Sequence, residues 1–406
     1  MKKIFLILSM LVFFQSKAQL LKKLKDKVDK KVDKTVDDAA SGKKDEKKNT
    51  EVKDTTATPT GNANQPASFK AYSKYDFVPG EKVIGFEDFS TRNIGDFPAG
   101  WNTNSAAEIV TIEGKPGRWL WITKPGVFMP EFTDKYPEDF TFEFDLLHSV
   151  PIRSAQLEVM MAQLDKTDMP QNYSVCANRL NIGLSTSNSD QKDGATYTEI
   201  RKSMLSQPTN QVYTDLLSDK NNPVHIAIWR QKERVRVYCN QEKIWDVPKA
   251  ISPDAKLNAL VFYVRGADAN IKQYIGNLRV AVGAADTRKK MLEQNKWVTH
   301  GILFDVNSAN IKPESYGTLK EMANVLKEYA DLKVKIVGHT DADGKDADNL
   351  DLSKRRAAAV KESLAKEFGI DASRMETDGK GESEPIDKND TPAGKANNRR
   401  VEFIKL

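Results

Sequence analysis

The sequence predicts a multidomain chain: a targeting segment and a disordered charged linker, then an all-β two-sheet sandwich, then a smaller α/β domain. Three observations predict it. Between about residues 73 and 283, apolar side chains recur at every second position, the period of a half-buried strand. After residue 296, runs of that period alternate with runs of helical period. Before residue 73 there is a short basic and apolar start, then a long polar stretch.

Lys2 and Lys3 followed by the apolar run Ile4 to Phe14 and the small-x-small sequence Ser16-Lys17-Ala18 have the form of an export signal over residues 1–18. The expected mature start is Gln19, and no Cys lies nearby to carry a lipid. The sequence holds no apolar run of about 18 residues, so no membrane-spanning helix is expected. Residues 19–72 read as linker. Within them Leu20, Leu24, Val28, Val32 and Val36 recur every four residues among Lys and Asp. That pattern fits a solvated helical spacer and leaves a coiled coil or a membrane-surface helix open. Residues 41–70 are rich in Lys, Asp, Thr, Asn and Pro and read as disordered.

The net charge of +5 belongs to this start. Lys2, Lys3 and Lys17 supply three units, and residues 19–54, with 12 Lys and 9 acids, supply three more. The folded remainder is left at −1, which gives no reason to expect a nucleic-acid partner.

In the sandwich, assigned to residues 73–283, Phe140, Phe142, Phe144 and Leu146 alternate with Thr141, Glu143 and Asp145. Val224, Ile226 and Ile228 behave alike, as do Val235 and Val237, Leu260 to Val264, and Leu278 to Val282, with turns at Asn240-Gln241 and Gly266-Ala267. An outer-membrane barrel is the rival. Its strands would be about ten residues long with an apolar outer band, whereas these look shorter and carry outward charges. Cys239 continues the apolar face of Val235 and Val237, which favours a buried thiol over a bridge to Cys176. Glu143 and Asp145 share an outward face that reads as solvated. Trp119 and Trp121 share a strand face, as core or as a sugar-stacking platform. The order VHIAIWRQKERVRVYCNQEKIWDVP and YIGNLRVAVG resembles laminin-G and concanavalin-like sandwiches, which implies a fold and no function.

Residues 284–296 read as a helical connector, and residues 297–406 as the α/β domain. Gly301 to Asp305 is expected as a strand, and Pro313 as the start of a helix with Leu319, Met322, Leu326 and Tyr329 inward. Val334 and Ile336 mark a second strand. Ser353 is expected to cap a second helix that buries Ala357, Val360, Leu364 and Phe368 and ends at Gly369. Val401 and Phe403 mark the last strand.

FDVNSANIKPES (304–315), GHTDADG (338–344), NLDLSKRRAAAV (349–360) and NRRVEF (398–403) stand here in the order and spacing of the OmpA C-terminal domain. The segment therefore resembles the OmpA family, which includes peptidoglycan-associated lipoprotein and the flagellar stator anchor. The resemblance implies non-covalent peptidoglycan binding through the diaminopimelate of the stem peptide. It places the two recognition side chains on Asp341 and Arg356, with Asp305, Asn307, Asn349 and Arg399 lining the site. It also implies a periplasmic protein associated with the outer membrane and the cell wall, with peptidoglycan as partner. Diaminopimelate ends in an ammonium and a carboxylate on one carbon, and an anion beside a planar guanidinium fork suits such a zwitterion. With Ser353 as cap, Arg356 would lie in a first helical turn, where free N–H groups add to the carboxylate's attraction. The acids Asp343, Asp346, Asp348 and Asp351 next to the site would oppose it. They do not match a calcium loop, since Leu352 stands where its final Glu belongs.

His148, His225, His300 and His339 have no partner at metal-ligand spacing, and no nucleophile or phosphate-loop motif occurs. No catalytic residue, metal or cofactor is assigned, and the protein is expected to be a binding protein. The rival is a wall-tethered enzyme or glycan-binding module that uses the sandwich on an outer-membrane or glycan partner. His339 is expected to steady the strand end by hydrogen bonding.

Overall fold

Alternation in the middle of the chain builds two facing antiparallel sheets. The computed structural model describes residues 75–149, 157–165, 176–185, 194–202, 205–214, 217, 222–264, 272–283 and 287–406. The signal segment 1–18, the linker through residue 72, the turn at Gly266-Ala267 and the side chain of Cys176 lie outside the described residues.

One sheet has eight strands and centres on Asp139–His148, which pairs with Val224–Gln231 on one side and Gln273–Val282 on the other. The second has seven strands, among them Leu157–Leu164 and Ala259–Val264. The inward residues of both form one core. Phe142 and Phe144 of the first sheet meet Phe262 of the second at ring distances of 5.8 and 5.1 Å. Two sheets sharing a core make a sandwich, and the Asn240-Gln241 turn is present with Asn240 at φ 50°. Cys239 is a free thiol in this core, and burial pushes its pKa up to about 12. The outer face of the second sheet carries its own apolar cluster, including Val127, Met160 and Val261.

The C-terminal domain has a four-stranded sheet in the order Lys296–Thr299, Val401–Lys405, Val334–His339, Met375–Gly381. Only the last pair is parallel. Helices Thr287–Glu293, Tyr316–Glu328 and Asp346–Phe368 bury Met291, then Leu319, Met322 and Leu326, then Ala357, Val360 and Leu364, in a core closed by Trp297 stacked on Phe403. The connector is a helix, and its far end at Lys296 is already sheet. Gly369 ends the long helix at φ 70°, as its sequence suggests.

Three expectations are corrected. Gly301 to Asp305 is no strand. It makes a single bridge, Phe304 to Ile311, because the chain turns back at once. Ser353 does not cap the second helix, which begins seven residues earlier at Asp346. Ser353 instead lies at the tightest helix–sheet approach. Its hydroxyl donates to the Leu350 carbonyl at 2.8 Å and accepts from the Gly381 N–H at 2.9 Å. A Cβ on Gly338 would come within 2.3 Å of the Ser353 carbonyl oxygen, so only glycine permits this packing. Glu143 and Asp145 are not solvated: Glu143 is 3% exposed and Asp145 is mostly buried.

The last correction follows from how the two parts meet. Both lie in one compact unit, Asn64–Leu406. The outer face of the eight-stranded sheet is the sandwich's contact with the C-terminal domain. Val83 and Ala281 pack on Ala396. The Asn397 side chain accepts from the Val83 N–H at 2.8 Å and donates to the Val83 carbonyl at 2.9 Å. Tyr75 and Phe77 fill the space between Ala227 and Tyr238 of the sheet and Tyr316 of the first long helix. On the same face His225 lies 2.8 Å from Asp145 and 3.4 Å from Glu143, and Arg279 lies 3.5 Å from Glu143. The two carboxylates outweigh burial and raise His225 to about 10, so it is a fixed cation at neutral pH.

Candidate functional site

Asp341 follows the strand Val334–His339 by two residues and is 9% exposed. Its Oδ2 accepts from Arg399 Nη1 at 2.5 Å, and its Oδ1 accepts from the Asp343 N–H at 3.2 Å. Arg399 ends the helix Pro392–Asn398, and its guanidinium also lies 5.0 Å from the ring centre of Phe86 in the sandwich. Its neighbour Arg400 is buried and bonds Glu402 at 2.8 Å instead.

Arg356 is half-buried in the long helix. Its Nε donates to the Ser308 carbonyl at 2.9 Å, its Nη2 to the Asp305 carbonyl at 3.4 Å, and it lies 4.9 Å over the Phe304 ring. Burial first, then the repelling Arg399, pulls its pKa down to about 10, while Asp341 opposes the shift. Arg356, Arg399 and Asp341 therefore share one electrostatic neighbourhood, with Arg356 still a cation at neutral pH. Arg356 stands ten residues into its helix, so the expected help from first-turn N–H groups is absent.

Asp305 and Asn307 act through the backbone. Ser308 N–H bonds the Asp305 carbonyl at 3.1 Å, and Asn307 sits at φ 53°, the left-handed conformation this turn needs. The turn aims two carbonyls at Arg356. Asn349 holds the opposite loop: its amide donates to the carbonyls of Asp341 at 3.3 Å and Asp343 at 3.1 Å, and to Glu382 at 2.5 Å. The expected opposition from nearby acids is largely cancelled. Asp343 pairs with Lys395 at 2.7 Å and Asp351 with Arg355 at 2.7 Å, while Asp346 and Asp348 occupy the first turn of their helix, where its dipole favours them. His339 is buried, with its Nε2 3.7 Å from the Glu402 carboxylate on the neighbouring strand.

Sequence reasoning missed Phe86, Phe304, Ser308, Glu382 and Lys395. The first lies more than 200 residues upstream in another domain, and no local pattern links it to Arg399. Lys395 stands four residues before Arg399 on one short helix, a spacing that could have flagged it.

The arrangement is a carboxylate just past a strand end, one guanidinium at the end of a short helix and a second midway along a long one, a mixed anion-and-cation site on an α/β frame. Residues 303–399 match the sequence pattern of the OmpA family, and this segment is an OmpA-family domain. The chain is 42% identical over 101 residues to outer membrane porin F of Pseudomonas aeruginosa, covering 25% of this chain and 29% of that protein. It is 45% identical over 104 residues to the probable lipoprotein YiaD of Escherichia coli, covering 26% and 47%. The chain thus spans less than half the length of these relatives. The peptidoglycan-associated lipoprotein structure from Burkholderia pseudomallei aligns at 28% identity over 26% of this chain and 88% of its own, with a TM-score of 0.25. The family match lies wholly outside the sandwich and does not bear out the expected likeness of that region to laminin-G and concanavalin-like domains.

Proposed function

We propose that the protein binds peptidoglycan non-covalently and anchors its sandwich to the wall, with diaminopimelate of the stem peptide as the group recognised. In this reading Asp341 takes the ligand ammonium, and Arg356 and Arg399 take the carboxylate. The observation that carries it is the shared neighbourhood of Asp341, Arg356 and Arg399, with each arginine seated on an aromatic ring. Two cations against one anion leave an excess positive charge for a carboxylate. The names of the relatives, outer membrane proteins and a lipoprotein, support an envelope location after export.

The enzyme reading is weaker. A glycosidase needs two convergent free carboxylates, and the neighbouring acids Glu143 and Asp145 of the sandwich are engaged by His225 and Arg279. Glycan binding without catalysis keeps one observation in its favour. Trp119 is buried, but Trp121 is half-buried, with Tyr274 at 6.5 Å and the Lys272 ammonium 5.0 Å over its ring.

The test is a pull-down with purified peptidoglycan. The wild-type chain should sediment with the wall, and Asp341→Ala and Arg356→Ala should remain in solution. Equal retention of all three would overturn the site assignment.

A further inference from the structure

We propose that the sandwich forms one wall of the ligand site, with Phe86 as the seat on which Arg399 moves from Asp341 to the ligand carboxylate. The proposal rests on the stem-peptide reading above and deepens it.

The first observation is a bulge. The strand Lys82–Glu87 pairs Val83 with Ala281 but Gly85 with Val280, so one extra residue is inserted between them. Val83 faces outward onto Ala396. Strict alternation from Val83 would turn Phe86 into the sandwich core. The inserted residue reverses that, places Phe86 opposite Arg279, and sets it on the outer face against Val83 and Ala281. A large aromatic is thus removed from a core that could bury it and presented to the other domain.

The second observation is what Phe86 meets there. Arg399 lies 5.0 Å from the ring centre while its Nη1 bonds Asp341. The guanidinium has a ring on one side and a carboxylate on the other, and remains about one-third exposed.

The third is Arg279. It is 7% exposed, its Nη2 has no hydrogen-bond partner among the described residues, and its charge and that of Arg399 repel. A positive charge fixed in the sandwich thus works against Arg399 staying on the sandwich side. The aromatic face compensates by attracting the cation.

These features give Arg399 a defined exchange. In this structure it neutralises Asp341. When a ligand ammonium takes Asp341, Arg399 loses that partner. Held on Phe86, it stays beside Arg356 and adds a second guanidinium to the ligand carboxylate. The sandwich therefore acts on recognition of the carboxylate at the far carbon of diaminopimelate, which a lysine side chain lacks.

The experiment titrates the full chain with two synthetic tripeptides, L-Ala-γ-D-Glu followed by diaminopimelate or by lysine. The wild-type chain should favour the first. Phe86→Leu, which keeps the apolar volume and loses the ring, should weaken the diaminopimelate peptide roughly two- to fivefold. It should leave the lysine peptide and the thermal midpoint unchanged. Phe86→Tyr should restore wild-type binding. Wild-type affinity in Phe86→Leu, or an equal loss for both peptides, overturns the role of Phe86. A wild-type chain that binds both peptides equally sinks the stem-peptide reading itself.

Discussion

Two groups of charged side chains in this protein use the same parts to opposite ends. On the outer face of the sandwich, Glu143 and Asp145 meet His225 and Arg279, two anions against two cations, closed over by the neighbouring domain. In the C-terminal domain, Asp341 pairs with Arg399 and its charge is felt by Arg356, one anion against two cations, with both arginines partly open to water. The first group is balanced in charge and largely buried. The second is unbalanced and accessible. Charge count and access distinguish a structural ion cluster from a binding site, whereas residue type does not.

The comparison can be broken most directly at its closed side. Replacing His225 by Ala leaves two buried carboxylates short of a cation and should cost about 3–5 kcal/mol of stability in chemical denaturation. A loss below 1 kcal/mol would mean that the cluster is open to water after all. On the open side, Arg356→Ala should cost about 2–4 kcal/mol of ligand affinity by calorimetry, with little change in stability. A protein that unfolds in place of losing affinity would put Arg356 in the structural class.

Titration sharpens the contrast. His225 is raised to about 10 in the folded state against 6.5 unfolded, so the folded state holds the extra proton. Its stabilisation is complete below pH 6.5 and should be lost as pH rises toward 10. His300, at the domain seam, is lowered to about 4, chiefly by burial, and His148 to about 3. For these the unfolded state takes up the proton first, so stability should fall as pH drops from 6.5 toward 4. Thermal midpoints across pH 4 to 10 measure both arms, and His225→Asn should flatten only the alkaline one. The smallest effect is expected at Lys395, whose pair with Asp343 is largely exposed. Lys395→Ala should change stability by less than about 1 kcal/mol. Its ligand affinity should fall slightly as the negative charge of Asp343 is left unpaired beside the site.

The C-terminal domain was more legible than the sandwich's outer face because its information is local. Asp341 and Arg356 stand in short motifs whose strand and helix the periodicity finds, although it starts the helix seven residues late and so leaves Asn349 outside it. The error at Ser353 is physical as well. Ser favours helix caps, but a close approach to Gly338 and Gly379 makes a small hydroxyl useful inside a helix. Glu143 and Asp145 misled because alternation reports only which side of a sheet a residue faces. It is silent on whether that side meets water or another domain. Phe86 was invisible for a similar reason, since one inserted residue in an edge strand inverts the pattern.

The Asn397 side chain closes on both backbone groups of Val83, as a neighbouring strand would. Tension applied at Asp341 and Arg356 therefore enters the sandwich through a pair of bonds loaded in parallel, close to the point of attachment. Under mechanical load the two domains should therefore part first at this clasp.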